Sequence, residues 1–207
     1  ARWNLSLAQL KIGNYKEGWK NFEWRWKIKG SKPKRKYFQL KWDGSSLVGK
    51  TLFLYSEQGA GDAIIFIRYV KVLSTKTTKI IVECPKNLHR LFSTIPEIHT
   101  LVTKSDELKD FDFHAPLLSL PSILNTTLKT IPVTIPYLCS ENQTLRSVVA
   151  EPKVLNIGIV WAGNPDHVND KNRSIHLSFF STITDIPSTQ VYSLQVGDRR
   201  VDMYQED

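Results

Sequence analysis

The chain has 207 residues, of which 41% are hydrophobic and 23% charged, the balance of a folded globular protein rather than a disordered or fibrous one. It contains no apolar run near the roughly 18 residues that a membrane-spanning helix requires, and its N-terminus lacks the basic-then-apolar pattern of a secretion signal. Its two cysteines, Cys84 and Cys139, lie far apart, which argues against a disulfide framework and a cysteine zinc site. Such sparse cysteine usage favours a reducing, cytoplasmic location.

The net charge of +8 is concentrated near the N-terminus. Eleven Lys or Arg residues stand against three acidic residues between Lys16 and Lys50, so this segment carries the entire excess and the rest of the chain is neutral. Five of the six tryptophans also precede residue 43. We therefore expect the first fifty residues to differ in kind from the remainder, with a boundary between Trp42 and Lys50.

The first predicted elements are two short helices within residues 3–28, a helical hairpin that we assign to residues 1–30. Trp3, Leu7 and Leu10 recur at helical spacing, and Gly13 with Asn14 interrupts the pattern. The second helix is marked by Tyr15, Gly18, Trp19, Phe22 and Trp26. One hairpin cannot bury its own apolar face, so we expect either further repeats upstream or docking onto the following domain.

Strand and helix signals alternate after a basic linker at residues 31–50. Short apolar runs predict strands at Thr51–Tyr55, Lys79–Glu83, His99–Val102 and Phe111–Ala115, and helices are predicted at Asp62–Leu73 and Leu88–Phe92. Alternation of this kind predicts a parallel sheet covered on both faces. We assign it to an α/β, Rossmann-like domain at residues 51–150.

The same pattern restarts in residues 151–207. A strand at Val154–Trp161 is followed by a polar loop at Ala162–Ser174, a helix at Leu177–Ile183 and a strand at Gln190–Leu194. This order is typical of the beginning of a second Rossmann-like domain. Two strands are too few for an independent sheet, so we expect the chain to be a fragment with this domain truncated.

The most distinctive local feature is the glycine-rich turn at Ser56–Asp62, between a strand and a helix. Ligands of open α/β sheets bind outside the carboxyl ends of the strands, and glycines let the backbone approach a ligand closely. Asp62 offers a carboxylate there, with the alternative that it only caps the helix. The turn lacks the third glycine of a dinucleotide fingerprint and the Gly-Lys-Ser/Thr of a P-loop. The candidate ligand contacts are Glu57, Gln58, Gly59 and Gly61.

Three weaker features could contribute to the same site. The loop at Ala162–Ser174 is polar and slightly cationic, which suits a phosphate or diphosphate as well as an ordinary surface loop. The segment Ser193–Gly197 follows another strand. His114 lies at a predicted strand end, where it would face the cleft or occupy an ordinary position. No histidine or carboxylate pair has metal-ligand spacing, so we predict no metal site.

Four motifs taken in order resemble a known group of enzymes. They are Leu54–Asp62, Phe111–Pro121, Ile157–Pro165 and Ser193–Gln195, preceded by the Trp-rich hairpin. Together they resemble tetratricopeptide-repeat (TPR)-linked glycosyltransferases, which are similar to the heptosyltransferases of lipopolysaccharide synthesis in glycosyltransferase family 9. The turn has Gly-Ala-Gly where Gly-Leu-Gly is more familiar in that group. The resemblance implies a GT-B architecture, in which two Rossmann-like domains face each other across a cleft and a TPR-like hairpin comes first.

The resemblance also implies the chemistry and its residues. An inverting, metal-independent enzyme would move a hexosyl or heptosyl group from a nucleotide-sugar to a hydroxyl of a glycan or protein, with no cofactor besides the donor substrate. Asp62 matches the proposed general base, and either Lys171 or Arg173 matches a basic residue at the donor phosphates. Further substrate contacts would be Glu57, Gln58, Gly59, Gly61, His114, Trp161, Gly163, Asn164 and Gln195. We expect the complete protein to be active and the 207-residue chain to be inactive.

Two other readings compete with catalysis. The chain could be a scaffold whose TPR-like hairpin recruits a protein partner while the GT-B part has lost activity. The basic aromatic segment Lys16–Lys50 could also bind nucleic acid, or Lys32–Lys36 an anionic lipid surface. Trp19 and Phe22 recur at helical spacing, which favours packing over base stacking, so we expect no nucleic-acid partner.

Overall fold

The computed structural model describes residues 1–28, 37–103, 108, 110–139, 154–167 and 169–204. It divides into two compact units, Ala1–Glu141 and Asn142–Asp207, and each is described by itself. Residues 31–36 of the predicted basic linker, including the lysines proposed to approach lipid, lie outside the described residues.

The first unit begins with the predicted helical hairpin. Helix α1 spans Arg2–Lys11, helix α2 spans Tyr15–Phe22, and a 3₁₀ helix continues at Glu23–Lys27. A Cβ atom at Gly18 would lie 2.7 Å from Leu10 Cδ2, so glycine at this position allows the two helices to approach closely.

The hairpin docks onto the α/β part of the same unit. Phe22 is 8% exposed and belongs to the main hydrophobic core, and Trp3, Leu10 and Trp19 pack against that core. The Trp19 ring meets Phe22 and Phe66 edge to face, with centroids 5.5 and 5.9 Å apart. Docking onto the following domain, one of the two outcomes expected from sequence, is therefore observed, and Trp19 and Phe22 are packing residues.

A five-stranded parallel sheet forms the centre of the first unit. Its strands are β1 (Leu40–Lys41), β2 (Thr51–Tyr55), β3 (Lys79–Glu83), β4 (Thr100–Val102) and β5 (Phe113–Pro116), in the spatial order β1-β5-β2-β3-β4. Strands β2 and β3 are buried along almost their whole length, as expected for the middle of a parallel sheet. The predicted parallel α/β domain is confirmed, and its strand order is compatible with a Rossmann-like fold.

The strand order places a topological switch point between β2 and β5. The chain runs from β2 outward to β3 and β4, then returns to the other side of β2 to form β5. Parallel sheets of this kind have a crevice where the direction of winding reverses, outside the carboxyl ends of the two central strands. A ligand site is therefore expected at the segments that follow β2 and β5.

The two faces of the sheet are covered differently. Helices α3 (Ala60–Phe66), α4 (Tyr69–Leu73), α5 (Lys86–Phe92) and α6 (Leu120–Ile123) supply the main core on one face. The other face carries an aromatic cluster made by Phe53, Tyr55, Phe111 and Tyr37. Among the described residues, that face is covered by aromatic side chains and connecting segments rather than by helices.

The helix predicted at Asp62–Leu73 is divided into α3 and α4. At the break, the Val70 N–H donates to the Ile67 carbonyl, three residues back rather than four. Arg68 Nε donates to the Ile65 carbonyl at 2.9 Å, an acceptor that a continuous helix would use for its own backbone.

The second unit contains a two-stranded parallel sheet. Strand β6 (Leu155–Ile159) pairs with β7 (Thr189–Ser193), and the connection between them includes a 3₁₀ helix at Leu177–Phe180 and helix α7 (Ser181–Thr184). Further 3₁₀ helices lie at Asp170–Asn172 and Asp198–Tyr204. The strands lie where the sequence predicts them. No helix of the described ranges in either unit is long and apolar enough to cross a membrane.

Candidate functional site

The switch point, where a ligand crevice is expected, is bordered by two short segments. One is the glycine-rich turn after β2, and the other is the 3₁₀ helix Leu117–Ser119 that follows β5 directly. Helix α3 and this 3₁₀ helix are in contact, so the two segments lie next to each other. The turn belongs to the predicted site, whereas the segment after β5 contributes a residue, Ser119, that the sequence did not single out.

An arginine from the helical hairpin bridges the two segments. Arg25 Nη2 donates to Glu57 Oε1 and to Ser119 Oγ, both at 2.8 Å. Its Nη1 donates to Glu23 Oε1 at 2.6 Å, and Ser119 Oγ donates to the same carboxylate oxygen at 2.7 Å. We call these four residues the Arg25 network. Glu57, predicted to contact substrate, is therefore engaged within the protein through one of its oxygens.

Three of the four side chains in the Arg25 network are buried, and that of Glu23 is partly exposed. The side chains of Arg25 and Glu57 are 3% and 6% exposed. Arg25 Nε and Glu57 Oε2 are both buried and have no hydrogen-bond partner among the described residues. Burying charges without completing their hydrogen bonds is costly.

The two carboxylates of the network differ in their proton affinity. Burial raises the pKa of Glu57, and the charge and hydrogen bond of Arg25 offset that effect only in part. Burial also acts to raise the pKa of Glu23, but Arg25, assisted by Lys41 at 3.1 Å, outweighs it and the pKa of Glu23 is lowered. Glu23 is the more exposed of the two and has two cationic partners, whereas Glu57 shares a single cation.

Asp62 lies at the beginning of α3, beside this network. Its Oδ2 accepts the Gly59 N–H at 3.1 Å, so the capping role considered from sequence is present. The side chain is half-buried, and this is its one hydrogen bond within the described residues. Gln58, Gly59 and Gly61 are exposed, and a Cβ atom at Gly61 would meet no atom within 4 Å. The turn that carries the half-buried Asp62 is therefore largely open to solvent.

His114 does not lie with the turn. It is the second residue of β5, pairs in register with Phe53, and is 8% exposed. Its ring packs into the aromatic cluster, 4.8 Å from Tyr37 by ring centroids. Burial, with a smaller contribution from Lys41, lowers the pKa of His114. Of the two positions considered for His114, the structure has the ordinary one: the imidazole lies on one face of the sheet.

In the second unit, Gln195 fastens the ends of the two strands together. Its Oε1 accepts the N–H groups of Trp161 and Ala162 at 3.1 and 3.0 Å. Its Nε2 donates to the carbonyls of Ala162 and Val196 at 3.0 and 2.9 Å. All four hydrogen-bonding positions of the amide are used. Gln195, a predicted substrate contact, therefore acts on the loop after β6 by holding its first residues.

The polar loop after β6 is folded back on itself. The Gly163 N–H donates to Ser174 Oγ at 2.9 Å, which in turn donates to Asp170 Oδ1 at 2.8 Å. A Cβ atom at Gly163 would lie 3.2 Å from Asp170 Oδ1 and 3.6 Å from Arg173 Nη2. Asn164 is exposed and accepts the N–H of Asp166 at 3.0 Å. Gly163 is thus enclosed by side chains of its own loop.

The two candidate cations of this loop are accessible to solvent. Lys171 and Arg173 are both exposed, and neither forms an ion pair within the described part of the unit. Trp161 is 2% exposed and its Nε1 donates to Asp202 Oδ2 at 2.9 Å, so it is a core residue of this unit rather than an open ligand surface. The candidate anion-binding groups are therefore the two cations.

The Arg25 network is the feature that sequence reasoning missed. One signal for it exists: Arg25 stands three residues after Phe22, which places it on the apolar side of the hairpin, between two tryptophans. A charged residue in that position has to find a buried partner. The partners themselves are 32 and 94 residues away, beyond the reach of local patterns.

Comparison with protein-family models, with curated proteins and with solved structures finds no match to this chain. Its function therefore has to be inferred from the residues at the strand ends. The described residues include no group of three His, Cys, Asp or Glu side chains arranged to hold a metal ion.

Proposed function

We propose that this chain supplies the acceptor-binding domain, and the beginning of the nucleotide-sugar-binding domain, of an inverting glycosyltransferase. Its resemblance is to the TPR-linked, heptosyltransferase-like group with GT-B architecture. One observation carries the proposal: the half-buried Asp62 stands on a solvent-exposed turn at the carboxyl end of β2, beside the switch point of a parallel sheet.

The chemistry needs a base positioned at the acceptor hydroxyl. Inversion requires that hydroxyl to attack the anomeric carbon from the side opposite the leaving nucleotide, and a carboxylate that takes its proton contributes about 10²–10⁴-fold. Asp62 Oδ2 is held by the Gly59 N–H, which orients the carboxylate and leaves Oδ1 for the substrate. Positioning thus supplies a large part of the effect.

Charge distribution supports a hydroxyl acceptor in the first unit. Glu23 and Glu57 are balanced by Arg25 and Lys41, so the network beside Asp62 has no net charge to attract a phosphate. The exposed cations of the second unit suit the diphosphate of the donor, which accumulates charge as the bond to the sugar breaks. Either Lys171 or Arg173 would bind it. The donor would be a nucleotide-sugar and the acceptor a glycan or a protein.

The test begins with a thermal-shift screen of the complete protein against ADP-, UDP-, GDP- and CMP-sugars, followed by a transfer assay with the donor that binds. We expect Asp62→Asn to lower transfer by about 10²-fold or more while the protein stays folded. Asp43→Asn is the matched control, because Asp43 likewise accepts a backbone N–H, from Ser45 at 2.9 Å. Transfer that is unchanged in Asp62→Asn would refute the role of the base.

A second candidate is a non-catalytic scaffold that binds a protein partner through the helical hairpin. It is favoured by one observation: the carboxylates of Asp62 and Glu57 both have partners inside the protein. A complete protein that binds none of the four nucleotide-sugars, yet retains its fold, would support the scaffold over the enzyme.

A further inference from the structure

We propose that Arg25 is a positioning residue of the crevice, and that the helical hairpin is thereby part of the site rather than a separate recruitment module. The guanidinium would fix the distance between the turn after β2 and the segment after β5. The proposal depends on the proposed function only in that the crevice is taken to bind the acceptor.

The geometry of the guanidinium is the first argument. One planar group donates to three side-chain acceptors that lie on three different segments: Glu23 on the hairpin, Glu57 on the turn and Ser119 after β5. The donors of a guanidinium have fixed mutual angles, so three bonds of 2.6–2.8 Å define where those segments stand relative to one another. A lysine ammonium could not replace it in this role, because its three N–H donors rotate and have no fixed planar arrangement.

The second argument is the short covalent path from the network to the proposed base. Glu57 is two residues before Gly59, whose N–H holds Asp62. A displacement of Glu57 therefore acts on the turn that orients the Asp62 carboxylate. The adjoining Ala63 N–H donates to the Gly59 carbonyl at 3.1 Å, so the turn and the first turn of α3 are joined by hydrogen bonds on both sides of Gly59.

The third argument is that the hairpin does not need Arg25 in order to dock. Phe22 and Trp19 already bury apolar surface against the main core. A buried ion pair is commonly no more stabilising than apolar residues of equal volume. The retained ionic group, with Arg25 Nε and Glu57 Oε2 left without partners in the described residues, is thus better explained by the geometry it imposes.

The test compares four variants of the full chain by amide hydrogen exchange in NMR, read at the Gly59 and Ala63 amides. Arg25→Gln removes the fork, Arg25→Lys keeps the charge, and Arg25→Gln combined with Glu57→Gln removes the unbalanced buried charge as well. Arg2→Gln is the control: it lies on the same hairpin and its guanidinium stacks on Trp24, 4.5 Å from the ring centroid.

We expect exchange at both amides to be about tenfold faster or more in Arg25→Gln, and unchanged in Arg2→Gln. The double variant separates positioning from stability, because it should recover the melting temperature while its Gly59 and Ala63 amides still exchange fast. Arg25→Lys should fall between the wild type and Arg25→Gln. If Arg25→Gln does not fold, the double variant and Arg25→Lys give the answer.

The proposal is overturned if Arg25→Gln or the double variant exchanges like the wild type at these two amides. None of these readouts depends on sugar transfer, so an inactive complete protein would refute the proposed function and leave this inference standing. In an active complete protein, the double variant should lower kcat with little change in the KM for the donor, and a loss confined to that KM would contradict a role in positioning the acceptor site.

Discussion

Replacing Arg25 by Gln should destabilise the first unit in a manner that depends on pH. Removing one partner of a buried ion pair typically costs about 3–5 kcal/mol, because the other charge is left uncompensated. Glu23 would contribute little of this cost, since its side chain is 28% exposed and retains Lys41. Glu57, at 6% exposed, has no other cation within the described residues and would carry most of it.

Protonation of Glu57 removes the uncompensated charge that Arg25→Gln leaves behind. This determines the sign of the pH dependence of stability. Burial already raises the pKa of Glu57 in the folded protein, and losing Arg25 would raise it further. A carboxyl group with a folded pKa above its unfolded value of 4.5 is protonated more in the folded state, so stability falls as pH rises from that value through the folded pKa. The variant should therefore be destabilised least near pH 5 and most near pH 8, with a slope of up to about 1.4 kcal/mol per pH unit.

The effect of Arg25→Gln on Glu23 also makes the loss of stability larger at higher pH. Its pKa is lowered in the folded protein, so the stability it contributes is present above its unfolded pKa of 4.5 and is lost at lower pH. Removing Arg25 removes part of that contribution, and the loss too is felt at the higher pH values. The two carboxylates therefore do not cancel each other.

Urea unfolding at several pH values between 5 and 8, followed by tryptophan fluorescence, measures the effect. Five of the six tryptophans lie in the first unit, so the signal reports mainly on that unit. Adding Glu57→Gln to Arg25→Gln should remove most of the pH dependence. The reasoning is refuted if the loss of stability in Arg25→Gln is the same at pH 5 and pH 8, or is larger at pH 5.

Three further outcomes follow from packing and burial. Gly18→Ala should cost about 1–3 kcal/mol in thermal or urea unfolding because the added carbon crowds α1, whereas Gly61→Ala, where space is open, should be neutral or slightly stabilising; equal effects would contradict the packing. Gln195→Leu should destabilise the second unit by about 2–4 kcal/mol, because it leaves buried backbone groups without hydrogen-bond partners. Limited proteolysis of that unit should then be faster, and an unchanged rate of proteolysis would contradict the structural role of Gln195. In the folded protein the exposed Cys139 should react with a thiol reagent at pH 8, whereas burial raises the pKa of Cys84 to about 11 and leaves roughly one thousandth of it as thiolate; two equally fast thiols would refute this.

The centre of the sheet was predictable because its strands carry their own signal. Strands β2 and β3 are continuous apolar runs that end at charged or polar residues, and the predicted limits coincide with the observed ones. Strand β1 has two residues, both exposed, so nothing in its composition distinguishes it from the linker in which it was placed. The division between α3 and α4 could not be predicted from the sequence either, because both helices contribute to one apolar face.

The site divides in a similar way. The turn after β2 was found because glycines between a strand and a helix are a local pattern, and Asp62 stands within it. The Arg25 network joins residues 32 and 94 positions apart, and such pairings arise only when the hairpin docks. His114 was expected near a strand end because the predicted strand stops at Ala115, yet the observed strand continues to Pro116. Alternation along β5 then directs the imidazole to the aromatic cluster.

The docking of the hairpin limits how this protein can be recombined with others. Chimaeras of repeat-containing proteins are commonly joined at the most hydrophilic stretch, which here would be the lysine-rich segment after the hairpin. A joint there would replace Arg25 and Phe22 with foreign side chains and leave Glu57 facing a mismatched surface. A fusion that preserves the contacts of Arg25 would instead place its joint ahead of Trp3, so that α1 and α2 are inherited together with the sheet.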